Sequence, residues 1–344
     1  MYGQRFLLAS AVIASMLASS SAFASAQPLA SANFATASAN FTLSSLANDE
    51  QRALVEGERW FDFMQEALNN YNFNASLVHV QGQRVELFRW LRGSSVENES
   101  LELLRSLNGP EVQIVRRNQH VSYFHSMATP YSLRSNSMFG PIPTALFNKF
   151  SAISESYYAV PMGGARVLER PTIHLRLLPH EQDRFGYSLW IDRESGLPLR
   201  IATVTLEGEV LEQVQVTALE VSAEAHPDLE QILELNPPPV VTDNQAQTQL
   251  VHNWQINSLP LGFTQIRANH HRLPITGIPA DYYLYTDGIT RVSVYVTEDP
   301  RTNTNLRYDG LESLYTHAYG DYSVTVVGRL PMATLQRIAM SVRR

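Results

Sequence analysis

Residues 179–206 read PHEQDRFGYSLWIDRESGLPLRIATVTL, and the reading of this stretch decides the fold. Tyr187, Leu189 and Ile191 alternate with Ser188, Trp190 and Asp192, the period of two that a half-buried strand requires. Asp192-Arg193-Glu194-Ser195-Gly196 follows. Asp hydrogen-bonds its own backbone and Gly tolerates positive φ, so these five residues form a reversal. Leu199, Ile201 and Thr203 open the return strand. The unit is a hairpin with a large aromatic, Trp190, built into it. The carboxylates Asp192 and Glu194 are expected in an exposed turn, where solvation accounts for them.

Similar units repeat on both sides. Ser76–Val80 and Arg84–Arg92 flank the turn Gln81-Gly82-Gln83. Glu99–Leu107 ends at Asn108-Gly109-Pro110, a strong breaker. Val112–Arg117 and His120–His125 pair across Asn118-Gln119; Tyr157–Pro161 and Val167–Leu178 precede the opening hairpin, and Val210–Val221 follows it after a turn at Gly208. Thr129–Pro143 reads as a loop and Ala145–Ile153 as a short helix. Upstream, Asp49–Asn70 reads as a helix, with Trp60, Phe63, Met64, Ala67 and Leu68 on one stripe at helical spacing. Strands at short spacing, with helices early and in the middle, predict an α+β fold: one large antiparallel sheet with helices on one face.

The pattern then breaks. His226–Leu235 can form a short helix, and Asn236-Pro237-Pro238-Pro239 cannot serve an interior strand. Beyond it, Tyr282–Thr286 and Ile289–Val296 flank Asp287-Gly288, the signal of a type I′ hairpin. With that loop, Tyr283 and Tyr285 share a face with Thr290, Val292 and Val294. Ser313–Ala318 and Tyr322–Gly328 form another strand pair, and Met332–Val342 a final helix.

The expected division is a signal peptide over 1–26, a disordered leader over 27–48, a first domain over 49–222, a proline-containing linker over 223–250 and a second domain over 251–344. The 344 residues suit two domains of roughly 100–200 residues. Arg5 precedes the apolar run Phe6–Leu17, and small residues with Ala22-x-Ala24 and Ala24-x-Ala26 follow, the marks of a cleaved export signal. Cys is absent, so neither disulfides nor a lipidated N-terminal cysteine is expected, and stability must come from core burial.

A formal charge of −7 disfavours a nucleic-acid partner. His180-Glu181-Gln182-Asp183-Arg184 begins like a zinc-protease helix, but Arg184 stands where the second His must be. His270 and His271 are adjacent, so on a strand they point to opposite faces. No G-x-S-x-G or phosphate loop is present. The residues assemble no catalytic set, no metal site and no cofactor site. What remains suits binding: a sheet richer in apolar residues than one helix can cover, and a tyrosine-rich hairpin with Arg291.

Several segments resemble one family, the MucB/RseB proteins, negative regulators of an envelope-stress sigma factor. The resemblance rests on Ser106-Leu107-Asn108-Gly109-Pro110 with Arg116-Arg117, and on Arg184-Phe185-Gly186-Tyr187-Ser188-Leu189-Trp190-Ile191-Asp192 with Ser195-Gly196-Leu197-Pro198-Leu199. It rests also on Leu259-Pro260-x-Gly262-Phe263, and on Val326-Val327-Gly328-x-Leu330-Pro331. It implies a periplasmic, non-enzymatic regulator whose first domain is a half-open, lipoprotein-carrier-like sheet closed by helices. The partner it implies is the periplasmic segment of a membrane-spanning anti-sigma factor, shielded from proteolysis until acylated glycolipid, lipopolysaccharide, enters and loosens the grip. Self-association is left open. Trp90, Phe139, Leu189 and Trp190 are the candidate lipid contacts. Tyr283, Tyr285, Arg291 and Tyr295 are the candidate partner contacts. The competing reading is a periplasmic carrier of acyl chains.

Overall fold

The sheet that the 179–206 hairpin belongs to has eleven strands, all antiparallel, in a computed structural model. The structure describes residues 35–95, 97–138, 140–241, 249–272, 277–302 and 304–344. Helix α1 (Ala35–Asn70) comes first. Its start lies fourteen residues ahead of Asp49, where the sequence suggested a cap: Ala35, Ala37 and Ala39 are strong helix formers and no Pro or Gly interrupts them. The signal region 1–26 lies outside the described residues.

Strands β1 (Asn72–Gln81), β2 (Arg84–Ser94), β3 (Ser100–Ser106), β4 (Val112–Arg117), β5 (His120–His125) and β6 (Ala128–Arg134) form a meander. A second meander, β7 (Tyr157–Val167), β8 (Arg170–Pro179), β9 (Gly186–Asp192), β10 (Pro198–Val204) and β11 (Val210–Ser222), closes against the first by pairing β11 with β1. The edges are therefore β6 and β7. The chain crosses from one edge to the other over residues 135–156, and on the way it buries Met138, Ile142, Leu146, Phe150 and Ile153. Together with Phe61, Met64 and Leu68 of α1, these cover the inner face, and one core cluster contains them all. The Asp62 carboxylate accepts the Phe150 amide at 2.8 Å, tying the helix to the crossing.

Three expectations need correction here. Thr129–Pro143 is not all loop, because β6 occupies its first part; its apolar alternation is only Tyr131 and Leu133, which pack on the core, and Pro130 just before them reads as a breaker. Val167–Leu178 is not one strand. Leu168 and Glu169 form a two-residue turn, both at positive φ (52° and 60°), and neither has the Gly or Asn that normally advertises such a turn. The segment Ala145–Ile153 is two 3-10 turns, Thr144–Phe147 and Phe150–Ala152.

Helix α2 (Pro227–Glu234) packs on the outer face, where Leu229 and Ile232 meet Leu91, Leu103 and Val115. The prolines after it run along edge strand β6. The Ser132 amide donates to Pro239 O at 2.9 Å and the Ser132 hydroxyl to Pro238 O at 2.8 Å. An edge is the place where Pro is tolerated, and here the run covers it.

Short β12 (Gln255–Ile256) precedes β13 (Thr264–Arg272), β14 (Pro279–Thr286), β15 (Arg291–Thr297), β16 (Leu306–Tyr308), β17 (Ser313–Ala318) and β18 (Ser323–Gly328). The second sheet orders as β13-β14-β15-β18-β17-β16. Helix α3 (Met332–Met340) lays Met332, Leu335, Ile338 and Ala339 on one face of that sheet. Strand β19 (Val342–Arg343) then returns to pair with β12. The overall class is the expected α+β: a large antiparallel sheet with few helices, and a smaller sheet beside it.

Candidate functional site: the seam between the two sheets

The β14–β15 loop is longer than a type I′ turn. Thr286 pairs with Arg291, so Asp287, Gly288, Ile289 and Thr290 all lie in the connection. Asp287 shapes it as a side-chain cap, its Oδ1 accepting the amides of Ile289 (3.0 Å) and Thr290 (2.7 Å). A register change of two preserves side-chain parity, so Tyr283 and Tyr285 still share a face with Val292 and Val294. The loop enters the end of the large sheet. Ile289 packs on the first core, the Tyr157 hydroxyl reaches Asp287 Oδ2 at 3.4 Å, and the Tyr187 hydroxyl lies 3.4 Å from Thr290 Oγ1. Burial pushes the Tyr187 hydroxyl up to about 12.

Arg184 is the centre of this seam and is 1% exposed. Its Nε donates to Asp183 Oδ1 (2.8 Å), its Nη1 to Asp287 Oδ2 (2.8 Å) and its Nη2 to Leu261 O (2.6 Å). The guanidinium lies over Phe263 (5.1 Å) and Tyr157 (5.8 Å). Burial favours the neutral guanidine, but the Asp183 hydrogen bond and the Asp287 and Asp183 charges outweigh it and hold the Arg184 pKa above its ordinary value. Arg184 is thus a fixed cation joining a loop of the large sheet to two loops of the small one. The fit is close. A Cβ on Gly262 (φ 80°) would stand 2.2 Å from Ser156 Oγ. Helix α3 adds the Thr334 hydroxyl, which donates to Asp183 O at 2.8 Å.

A second ion cluster sits on the same seam. Glu212 on β11 accepts from Arg329 Nη1, one residue past β18 of the small sheet (2.8 Å), and lies 2.7 Å from His79 Nε2 on β1, whose Nδ1 faces Glu86 at 3.2 Å. The Glu212 hydrogen bond lifts the His79 pKa above its ordinary value, against the opposing pull of burial. Burial works to raise the Glu212 carboxyl, but His79 and Arg329 together hold it below the usual carboxylate range.

The candidate lipid contacts fall on two faces. Trp90 is paired with Ala75 and Leu104, Leu189 with Leu175 and Ile201, and both residues belong to the inner core. Trp190 points outward, stacked on His174. Phe139 lies outside the described residues. Trp90 donates its indole N–H to Glu102 at 2.8 Å, and the Glu102 carboxylate also holds Arg92 (3.0 Å) and Arg116 (2.8 Å). The space beside Trp90, Leu104, Met138 and Phe147 is a cavity of about 40 Å³.

Three of the four candidate partner contacts are not surface residues. Tyr283, Tyr285 and Tyr295 are 3%, 7% and 7% exposed. The Tyr283 hydroxyl accepts the Trp254 amide (3.0 Å) and donates to His252 O (3.3 Å), and the Tyr285 hydroxyl donates to Gln265 Oε1 (3.2 Å). Tyr295 stacks on Tyr282. Burial pushes Tyr285 and Tyr295 up to about 12. Only Arg291 is exposed. A tyrosine-rich hairpin suggested a sticky surface, but with α3 on one face of the sheet Tyr283 and Tyr285 became its core, while Tyr295 is buried on the other face beside Ile278 and Ala280. The expectation for Asp192 also fails: its side chain is fully buried, bonded by Arg170 (2.8 Å) and by the Ser195 amide and hydroxyl (2.9 and 2.6 Å). Sequence reading missed Arg184 as a hub, since its main partner is 103 positions away. Among the described residues no three His, Asp or Glu side chains gather as metal ligands.

Two sheets, one locked into the end of the other through buried charges, with an apolar inner face, define a binding protein built of two lobes. The comparisons with known proteins agree on which one. The MucB/RseB N-terminal domain model matches residues 56–240 and the MucB/RseB C-terminal domain model residues 248–343. The chain belongs to the MucB/RseB family. It is 27% identical over 282 residues to the sigma-E factor regulatory protein RseB of Escherichia coli, covering 81% of this chain and 88% of that one. It is 28% identical over 303 residues to the sigma factor AlgU regulatory protein MucB of Pseudomonas aeruginosa, covering 84% and 91%. The solved complex of Pseudomonas aeruginosa MucA/MucB superposes with a TM-score of 0.66 at 25% identity, over 84% of this chain and 98% of that one. A crystal structure of MucB with MucA(peri) gives 0.64 at 26% identity, over 83% and 97%. These relatives are regulatory proteins.

Proposed function

We propose that this chain is an exported, periplasmic regulator that binds the periplasmic segment of a membrane-spanning anti-sigma factor and shields it from the protease that starts the stress response. The observation that carries this reading is the likeness across both lobes to MucB solved with MucA. A carrier of acyl chains needs only the large sheet, whereas here both lobes match and Arg184 and Glu212 lock them together.

Release by acylated glycolipid is part of the same proposal and rests on linkage. A lipid loosens the peptide only by binding two conformations of the protein unequally. In the conformation described, the space beside Trp90 is about 40 Å³, against roughly 300–1,000 Å³ for sites that enclose a small ligand. An acyl chain therefore has to displace the crossing segment around Met138, Ile142 and Phe147. That movement also pulls on Ala152 and Ile153, which lie next to Gly288 of the seam loop.

The test is calorimetric titration of the mature protein with the periplasmic segment of a membrane-spanning anti-sigma factor from the same organism, with and without lipopolysaccharide. Saturable binding, protection of that segment from its cleaving protease, and competition by lipopolysaccharide are expected. No binding at protein concentrations up to about a hundred micromolar sinks the regulator reading. Binding without lipid competition sinks only its sensing half.

A further inference from the structure

The outer face of the large sheet, away from Trp90 and the core, carries two arginines and a histidine for which the described residues supply no counter-charge. His174 on β8, Trp190 on β9 and Arg200 on β10 are directly opposite one another. The His174 ring stacks on the indole at 4.4 Å and 3°, and Arg200 Cζ sits 4.3 Å from the same indole. In the next row Arg176 faces Ser188, which faces Ala202. Those two side chains are small, so nothing long competes for the space beside Arg176.

His174 Nε2, Arg176 Nε and Arg200 Nε are all buried, and none has a hydrogen-bond partner among the described residues. A buried donor without a partner costs about 1–3 kcal/mol. The sequence holds 33 acidic residues against 26 basic ones, yet none of these three groups is ion-paired among the described residues. The carboxylate one row further on, Asp192, is held by Arg170 and Ser195, with its Oδ1 unpartnered. Burial first, and then the charges of Arg176 and Arg200, lower the His174 pKa. His174 feels both arginines, and no anion among the described residues relieves them.

We propose that His174, Arg176 and Arg200 form a binding site for a phosphate monoester group, with Trp190 as its rigid platform. Strands β8 and β10 are two strand spacings apart, roughly 9–10 Å, a gap that arginine side chains close from either side. A phosphate has three strong acceptor oxygens and about two negative charges, so it can take hydrogen bonds from three directions. A carboxylate, planar with two oxygens, matches one guanidinium at a time. The same chemistry is found in free phosphate compounds and in phosphorylated lipid headgroups, and the site is independent of the regulator reading above.

The test follows the His174 ring resonances by NMR in the mature protein near pH 7, with sodium phosphate titrated against sodium chloride at equal ionic strength. The expected result is a saturable shift with phosphate alone, together with a rise in the His174 titration midpoint. Arg176→Gln and Arg200→Gln should each weaken it about ten-fold or more, with the melting temperature and the remaining spectrum little changed. Arg176→Gln leaves the Trp190 stack untouched, so it decides the matter if Arg200→Gln disturbs the strand. Vesicles of phosphatidylcholine with one-fifth phosphatidic acid, compared with phosphatidylcholine alone, separate the sources. Binding at lower total phosphate than the free ion assigns a lipid headgroup, and equal or weaker binding assigns a soluble ligand. An equal response to chloride, no saturable shift, or a response unchanged in both variants overturns the site. So does arginine-dependent binding of polyglutamate without binding of phosphate, which makes this a protein-docking face instead.

Discussion

Replacing Arg184 by methionine should uncouple the two lobes. The side chain is 1% exposed and neutralises two buried carboxylates, Asp183 and Asp287, whose side chains are 2% and 0% exposed. With charges roughly 4 Å apart, an effective dielectric of about 20 makes one such attraction worth about 4 kcal/mol. Removing one partner of a buried pair typically costs about 3–5 kcal/mol, because the survivor stays desolvated. Arg184→Met also frees Leu261 O from its 2.6 Å hydrogen bond. Wild-type protein should therefore unfold in one calorimetric transition, and Arg184→Met in two, with the small lobe melting first. Asp287→Asn is the partner variant: its amide oxygen can still accept from Ile289 and Thr290, while the charge and the acceptor that faces Arg184 are both lost. In a double-mutant cycle measured by urea unfolding, the two changes should couple by on the order of 2 kcal/mol. Additivity within about 0.5 kcal/mol would mean that the ion pair does not join the lobes, and that the apolar contacts of Phe263 and Ile289 do.

Gly262→Ala should cost about 1–3 kcal/mol at the seam, from the overlap with Ser156 Oγ and the positive φ; its urea midpoint against wild type measures this. Leu168→Asn with Glu169→Gly should stabilise the β7–β8 hairpin by about 1–2 kcal/mol, because both positions have left-handed backbone that bulky residues resist; an unchanged or lower melting temperature would refute the turn. Glu102→Gln should destabilise by about 3–5 kcal/mol, leaving Arg92 and Arg116 buried without their counter-charge. The raised His79 pKa gives the seam a pH dependence. The folded state binds this proton more tightly than the unfolded one, so the stabilisation is complete below the ordinary histidine range and is lost as pH rises through the folded pKa, with a slope of at most about 1.4 kcal/mol per pH unit for one proton. Urea midpoints should fall from pH 6 to pH 8.5, and His79→Gln should flatten that fall.

The sequence by itself determined the elements and the class. Period-two alternation in Tyr187–Asp192 and the turn chemistry of Asp192–Gly196 specify the central hairpin, and β4 and β5 lie where their alternation put them. Local pattern suffices there, because the alternation of side chains across a strand follows directly from backbone geometry. The pattern was too weak where a strand offers only two alternating apolar residues behind a proline, as in β6, and where a turn uses residues that do not announce it, as at Leu168-Glu169. Only the tertiary structure decided which face of each strand would matter. Pairing β11 with β1 and placing α1 on one side put Trp90 and Leu189 inside and left Trp190 outside. Packing α3 on the small sheet turned an apparently sticky tyrosine hairpin into core. The seam is the clearest case. Arg184 and Asp287, or Glu212 and Arg329, are ordinary charged residues when read in line. They become a lock only because folding removes them from water together, where a charge is tolerated when its counter-charge is already in place.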